Sequence, residues 1–301
     1  MSRRSVVTAL VVSIVSLMTV VGLVLAAVVA TGGGTGLALG GRVAVLEVEG
    51  VIADDQDFLR DVKRLREDPS VRAWVVVINS PGGVVAPAQS MYRELRRIRE
   101  EDGVPVVAAI GSVGASGGYY IALAADSILA LPGSITGSIG VIMEYPNVSG
   151  LMERVGVRME VVKAGAQKDL GSPFRPMDEA DREILNALVD DVHAQFMETV
   201  AEARGMSVEE VRPMADGRVF SGRQALERRL VDRLGNREAA IALAGRMAGL
   251  GPDPHVVRPP EDEVPWLARL LFGETTARTI QSVGASVSRT GSWPALEYIV
   301  H

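Results

Sequence analysis

Three short apolar runs, VAVLEVEG from Val43, AWVVVIN from Ala73 and VPVVAAIG from Val104, alternate with segments that have the period of amphipathic helices. A strand with one wet face alternates apolar and polar residues, whereas a run apolar at nearly every position must be covered on both faces. Strands of that kind belong to parallel sheets with helices packed above and below. DFLRDVKRLREDP, ended by Pro69, and PAQSMYRELRRIREEDG supply such helices, with their charge runs as wet faces. SILALPGSITGSIGVI reads as short strands and glycine turns, and RMEVVKAG as a strand. Long helical patterns follow from Met177 to Gly205 and from Ser221 to Gly249. The expected fold class is α/β, a domain of repeated β-α units over residues 42–250.

Ahead of that domain lies an uncharged apolar run of 25 residues, Val6 to Ala30, behind the cations Arg3 and Arg4. As a helix it would be about 37 Å long, enough to cross a hydrocarbon core of ~30 Å. Residues 1–30 are therefore expected to be a cytoplasmic tip and transmembrane anchor. The two arginines favour a cytoplasmic N-terminus, with everything downstream on the extracytoplasmic side of a cell membrane. Residues 31–41, TGGGTGLALGG, read as a flexible tether. After Gly251 proline and charge become frequent, so 251–301 are expected to be a linker and a C-terminal amphipathic segment, Trp266 to Ser288.

Composition removes several chemistries. There is no cysteine, and the three histidines, His193, His255 and His301, have no metal-ligand spacing, so neither a metal nor a cofactor is expected. A formal net charge of −6 gives no nucleic-acid footprint. Of 31 cationic residues only Lys63, Lys163 and Lys168 are lysines. Arginine does not give up its proton in a protein, whereas a desolvated lysine does, so a lysine retained here is a candidate for work arginine cannot do.

The stretch GSVGASGGYY holds Ser116 in a G-x-S-x-G turn, where small residues allow a serine at a sharp strand-to-helix bend. A serine hydroxyl is a poor nucleophile until a base removes its proton. Histidine does not supply that base: His193 falls in a long helix, His255 in the linker and His301 at the last position. A lysine partner fits better, and VVKAGAQKDLGS offers Lys163 and Lys168 beside apolar and small residues; spacing alone does not choose between them. NSPGG, with Gly82 and Gly83, can present backbone N–H groups to a developing oxyanion, helped by a helix beginning near Pro87.

In this order NSPGG, GSVGASGGYYIALAAD, SITGSIGVI and AGAQKDLGSPFRPM resemble the signal peptide peptidase A family, in its short, single-repeat bacterial form. The resemblance covers roughly Val43 to Leu250 and implies a membrane-anchored serine protease of the Clp/crotonase-like fold. By position it makes Ser116 the nucleophile and Lys168, 52 residues downstream, the general base. It also implies that Ser138 orients the lysine and that the N–H groups of Gly83 and Gly117 form the oxyanion hole. Implied substrates are cleaved signal peptides and other hydrophobic peptides. Long members carry the lysine in one repeat and the serine in another, so a single-repeat chain implies a homo-oligomer in which Ser116 meets Lys168 of the partner subunit. A SohB-like or stomatin-processing protease, a crotonase-like acyl-CoA enzyme and a non-catalytic scaffold are the alternatives.

Overall fold

The computed structural model describes residues 40–260, the strand Glu297–Ile299 and three helical positions, Ser16, Met18 and Thr19. The expected anchor, most of the tether and the amphipathic segment 266–288 otherwise lie outside the described residues. No helix among the described residues is long and apolar enough to cross a membrane.

The three apolar runs become the parallel centre of the sheet: β1 (Arg42–Ile52), β2 (Val71–Val84) and β3 (Val106–Ala115). Helices α1 (Gln56–Arg66) and α2 (Val85–Glu100) connect them, and α3 (Gly117–Ala122) follows β3. Alternate residues of each central strand enter opposite cores, as the two-residue strand period requires. Ala44, Leu46, Trp74, Ile78, Ala108 and Ile110 pack with α1, α2 and α3, while Val43, Val45, Ala73, Val75, Val107 and Ala109 form a second core. The expectation of strands covered on both faces is met, and the chain is a mixed α/β protein.

Next come β4 (Ser127–Ala130), β5 (Ile135–Gly137) and the short helix α4 (Ser149–Arg154), then the long α5 (Glu179–Arg204) and the single turn α6 (Val208–Val211). The second half of the unit is β6 (Val219–Ser221), α7 (Gly222–Glu227), β7 (Arg233–Leu234), α8 (Arg237–Met247) and β8 (His255–Val257). The helical pattern from Ser221 to Gly249 is thus two helices divided by β7. Ala240, Ile241, Leu243 and Ala244 of α8 close the second core. The path through the sheet is β6-β5-β3-β2-β1-β8, with β4 and β7 branching from β3 and a ninth strand, β9 (Glu297–Ile299), on β2. His255, expected in a linker, lies in β8, which adds to β1 in parallel, so the sheet runs past the boundary read at Gly251.

Two departures from regular pairing shape one end of the sheet. β3 pairs with β4 over Val107–Ile110, then with β5 over Val113–Ala115. β2 pairs with β3 as far as Ser80↔Gly114, and beyond that point β9 pairs with β2 over Gly82–Val84 instead.

Residues 143–178 behave differently from the rest. The expected strand RMEVVKAG does not form: Arg158 to Lys163 are exposed and join no ladder, because no strand of the described chain lies beside them. Phe196 anchors α5 against α3; it is fully buried and meets the Tyr120 ring edge-on at 5.1 Å. Phe196→Ala should cost about 3–5 kcal/mol, as other large-to-small core truncations do. Urea unfolding followed by circular dichroism would measure that loss.

Candidate active site

Ser116 stands where β3 turns into α3, with φ 52° and ψ −117°, a conformation uncommon for a residue with a side chain. Such backbone strain costs of order 1–3 kcal/mol and survives only where neighbours hold it. They do so here from both sides. The Ser116 N–H donates to Gly137 O at 2.8 Å, and the Ser116 carbonyl accepts from Tyr120 N–H at 2.8 Å. Gly118 is needed for the close approach of α3 to β2, since a Cβ there would lie 2.8 Å from Ser80 O. Ser116 is 1% exposed, and its Oγ has no hydrogen-bond partner among the described residues. A buried hydroxyl left unpaired is costly in a folded protein and points to a partner or a reaction.

β5 brings in Ser138. Ala115 pairs with Gly137, so the next residues on each strand, Ser116 and Ser138, leave the ladder side by side, both with φ 52°. The hydroxyls of SITGS recur with the strand period. Ser134 Oγ donates to Gly111 O at 2.5 Å and Thr136 Oγ1 donates to Gly114 O at 2.7 Å, binding β5 to β3. Ser138 is the third in that series and is buried.

NSPGG forms the other wall. Asn79 Oδ1 accepts from the Ser112 N–H at 2.9 Å, and Gly111 leaves room for it, because a Cβ there would sit 2.8 Å from that oxygen. Buried Ser80 accepts from the Gly82 N–H at 3.1 Å through its Oγ. Gly83 has φ +156° and lies so near Ile52 that a Cβ would meet Ile52 O at 2.2 Å. No other residue fits there. Motif reading passed over Asn79, Ser80, Ser134 and Thr136, although a polar residue opening a Pro-Gly turn and hydroxyls at every second position were signals for them.

Neither lysine is hydrogen-bonded to Ser116 Oγ within one chain. Lys168 lies in a turn at the tip of the arm and is exposed, not in the apolar setting its neighbours suggested. Lys163 is engaged: its Nζ donates to Ala166 O at 2.7 Å and to Asp169 Oδ1 at 2.5 Å. Arg175 clamps the base of the arm, donating to Asp169 Oδ2 at 3.0 Å and to both oxygens of fully buried Asp181 on α5. The Arg175 guanidinium holds the Asp169 and Asp181 carboxyls below the usual carboxylate range. Asp181 also completes a capping box with Asp178 at the start of α5. Neither Arg175 nor Asp181 was singled out in the sequence, though D-x-x-D ahead of a helix was a legible cap.

His193 lies on α5 and His255 in β8, and neither is hydrogen-bonded to Ser116 Oγ. Among the described residues no group of three or more His, Asp or Glu side chains is arranged to hold a metal ion.

The peptidase family S49 pattern matches residues 98–251, which include the serine turn, β5, the arm and α5. A Synechocystis sp. protein named as a protease is 42% identical over 79% of this chain and 86% of its own. An Enterococcus faecium protein named as a signal peptide peptidase, SppA, is 36% identical over 66% of this chain and 62% of its own. A Methanocaldococcus jannaschii protein named as a protease is 33% identical over 68% of this chain and 65% of its own. The chain thus spans most of the first of these and just under two thirds of the other two. With a strained, buried serine inside the matched region and this extent of similarity, the chain belongs to peptidase family S49 and is similar to the SppA-type peptidases within it.

Proposed function

We propose that the protein is a serine endopeptidase of the Clp/crotonase-like fold in which Ser116 of one copy is activated by Lys168 of the partner subunit. Its substrates are hydrophobic peptides, cleaved signal peptides among them. Residues 6–30 anchor it in the cell membrane with the catalytic domain on the extracytoplasmic side.

The unpartnered Ser116 Oγ carries this reading, because among the described residues of one chain no base is bonded to it. The arm supplies the reason to assemble. Leu151, Val155, Val157, Met159, Val161 and Val162 are all exposed, and exposed apolar side chains gathered in one segment mark an interaction surface. Covering it with a second copy would bury the arm and exclude water from Lys168, the setting a lysine base needs. A head-to-tail contact of this sort must close into a ring to avoid a filament. The engagement of Lys163 with Asp169 favours Lys168 as the base.

The chemistry then follows in two halves. Ser116 Oγ attacks the scissile carbonyl carbon as its proton passes to the Lys168 amine, which Ser138 orients. The oxyanion is received by the N–H groups of Gly83 and Gly117, and its collapse expels the new amine with the proton from Lys168. Water, deprotonated by the same lysine, hydrolyses the acyl-enzyme and restores Ser116.

Ser116→Ala should abolish peptide cleavage and labelling by a fluorophosphonate while leaving the circular dichroism spectrum unchanged. Continued turnover by that variant would remove the serine from the mechanism.

Ser116→Ala chains and Lys168→Ala chains, each inactive alone, should regain part of the activity when co-assembled. Persistent inactivity in mixed assemblies verified by mass would exclude a dyad shared between subunits.

Asp181→Asn should loosen the arm and lower the urea midpoint. The folded Asp169 and Asp181 carboxyls titrate below their unfolded value of about 4, so the clamp contributes fully above that pH and is lost as the pH falls through the lower folded values. The difference in midpoint between wild type and Asp181→Asn should be constant from about pH 8 to pH 5 and shrink below pH 4.

A further inference from the structure

One side of β1 is left without a neighbour close to the glycine pair. β1 carries β2 along one side as far as Ile52↔Gly83, and on its other side β8 pairs only with Arg42–Ala44. From Glu47 to Ile52 that second side has no strand against it among the described residues. An open edge of this kind accepts an extended peptide through main-chain hydrogen bonds. Here it adjoins a cavity of about 580 Å³ between the end of β1 and α1. Ile52, Phe58 and Met91, all buried, form its apolar floor, and exposed Val51 lines it as well.

Five carboxylates also line this cavity, those of Glu47, Glu49, Asp54, Asp57 and Asp61, with no lysine or arginine among them. Arginines approach from outside it. Arg237 on α8 meets Glu47 at 2.7 Å, Arg60 meets Asp57 at 2.8 Å and Asp61 at 3.4 Å, and Arg64 stands 3.9 Å from Asp61. Five carboxylates against three arginines leave the groove net negative. Surface pairs of this sort are weak and yield to an incoming cation. Charge on an open strand edge would by itself serve to keep copies of the sheet from pairing. That role does not account for an apolar cavity beside the edge.

Apolar floor, carboxylate rim and open main-chain edge together fit an extended peptide in which lysine or arginine adjoins an apolar run. A secretory signal peptide has this composition, a positively charged region followed by an apolar one of roughly 7–15 residues. We propose that the groove beside β1 is a subsite of the protease, one strand away from Gly83, that takes this cationic junction of the substrate. The proposal rests on the reading of Ser116 and Gly83 as the catalytic site and adds a charge preference to the hydrophobic peptides named there. The groove acts by binding alone: its negative field gathers cationic peptides, so the preference belongs in KM and weakens as salt screens the charges.

The test uses the full-length protein and three fluorogenic peptides with one apolar core. The first carries two lysines before the core, the second two glutamines, and the third two lysines with serine in place of the adjoining apolar residue. The first should be cleaved with a kcat/KM about tenfold above the second, through KM, with the ratio shrinking at high salt. The third should fall below the first. Asp54→Asn/Asp57→Asn and, separately, Glu49→Gln should bring each protein's own lysine-to-glutamine ratio toward one; the asparagine at 54 keeps the oxygen that accepts from Gln56 N–H at 3.2 Å. Circular dichroism checks their folding. Equal kcat/KM for the first two peptides in the wild type, or an unaltered ratio in both variants, would overturn the subsite while labelling of Ser116 by a fluorophosphonate left the active site standing. An unaltered ratio with a changed assembly mass would give the edge to a second copy instead. Labelling at a residue other than Ser116 would overturn the site on which the proposal rests.

Discussion

The parting of β2 and β3 beyond Ser80↔Gly114 is the event on which the rest of this structure depends. Up to that point the strands share a parallel ladder whose side chains fill both cores. Past it β3 keeps β5 on its other edge, and β2 takes β9 where β3 has left it. The rupture is held in place by polar contacts: Asn79 grips the Ser112 N–H, Ser80 grips the Gly82 N–H, and Ser134 and Thr136 fasten β5 to β3. Buried hydrogen bonds of this kind are costly to break, because each partner left behind is unsatisfied. Together they fix the serine turn and the glycine pair at the end of the shared ladder.

That rigidity explains how a serine with φ 52° persists. Its amide and carbonyl are bonded into β5 and α3, and α3 is seated on β2 through the glycine at position 118. The strain is concentrated at a buried hydroxyl that has no hydrogen-bond partner among the described residues. Ser138, leaving its strand at the same φ, repeats the device one strand away.

The arm follows the opposite rule. Its apolar residues face outward, and its internal order comes from charge: Lys163, Asp169, Arg175 and Asp181 form one chain of ion pairs that ties the arm to the start of α5. Paired charges of this sort set a geometry more than they add stability. The clamp determines where Lys168 is presented, while the exposed apolar residues determine what the arm can rest against.

The covered strands, the connecting helices and the serine turn were legible in the sequence because each is a local pattern. Continuous Val and Ile runs, helical periodicity and a small-residue bend need no knowledge of what lies nearby. The motifs also carried the family. What the sequence did not contain was adjacency. RMEVVKAG has the composition of a strand but no neighbour among the described strands, His255 reads as linker but finds β1, and Lys168 sits among apolar neighbours in sequence yet is exposed in space. The gap between β2 and β3, and the strand that fills it, were decided by the tertiary structure alone, because a ladder is a relation between distant segments and a residue's own side chain does not specify its partner.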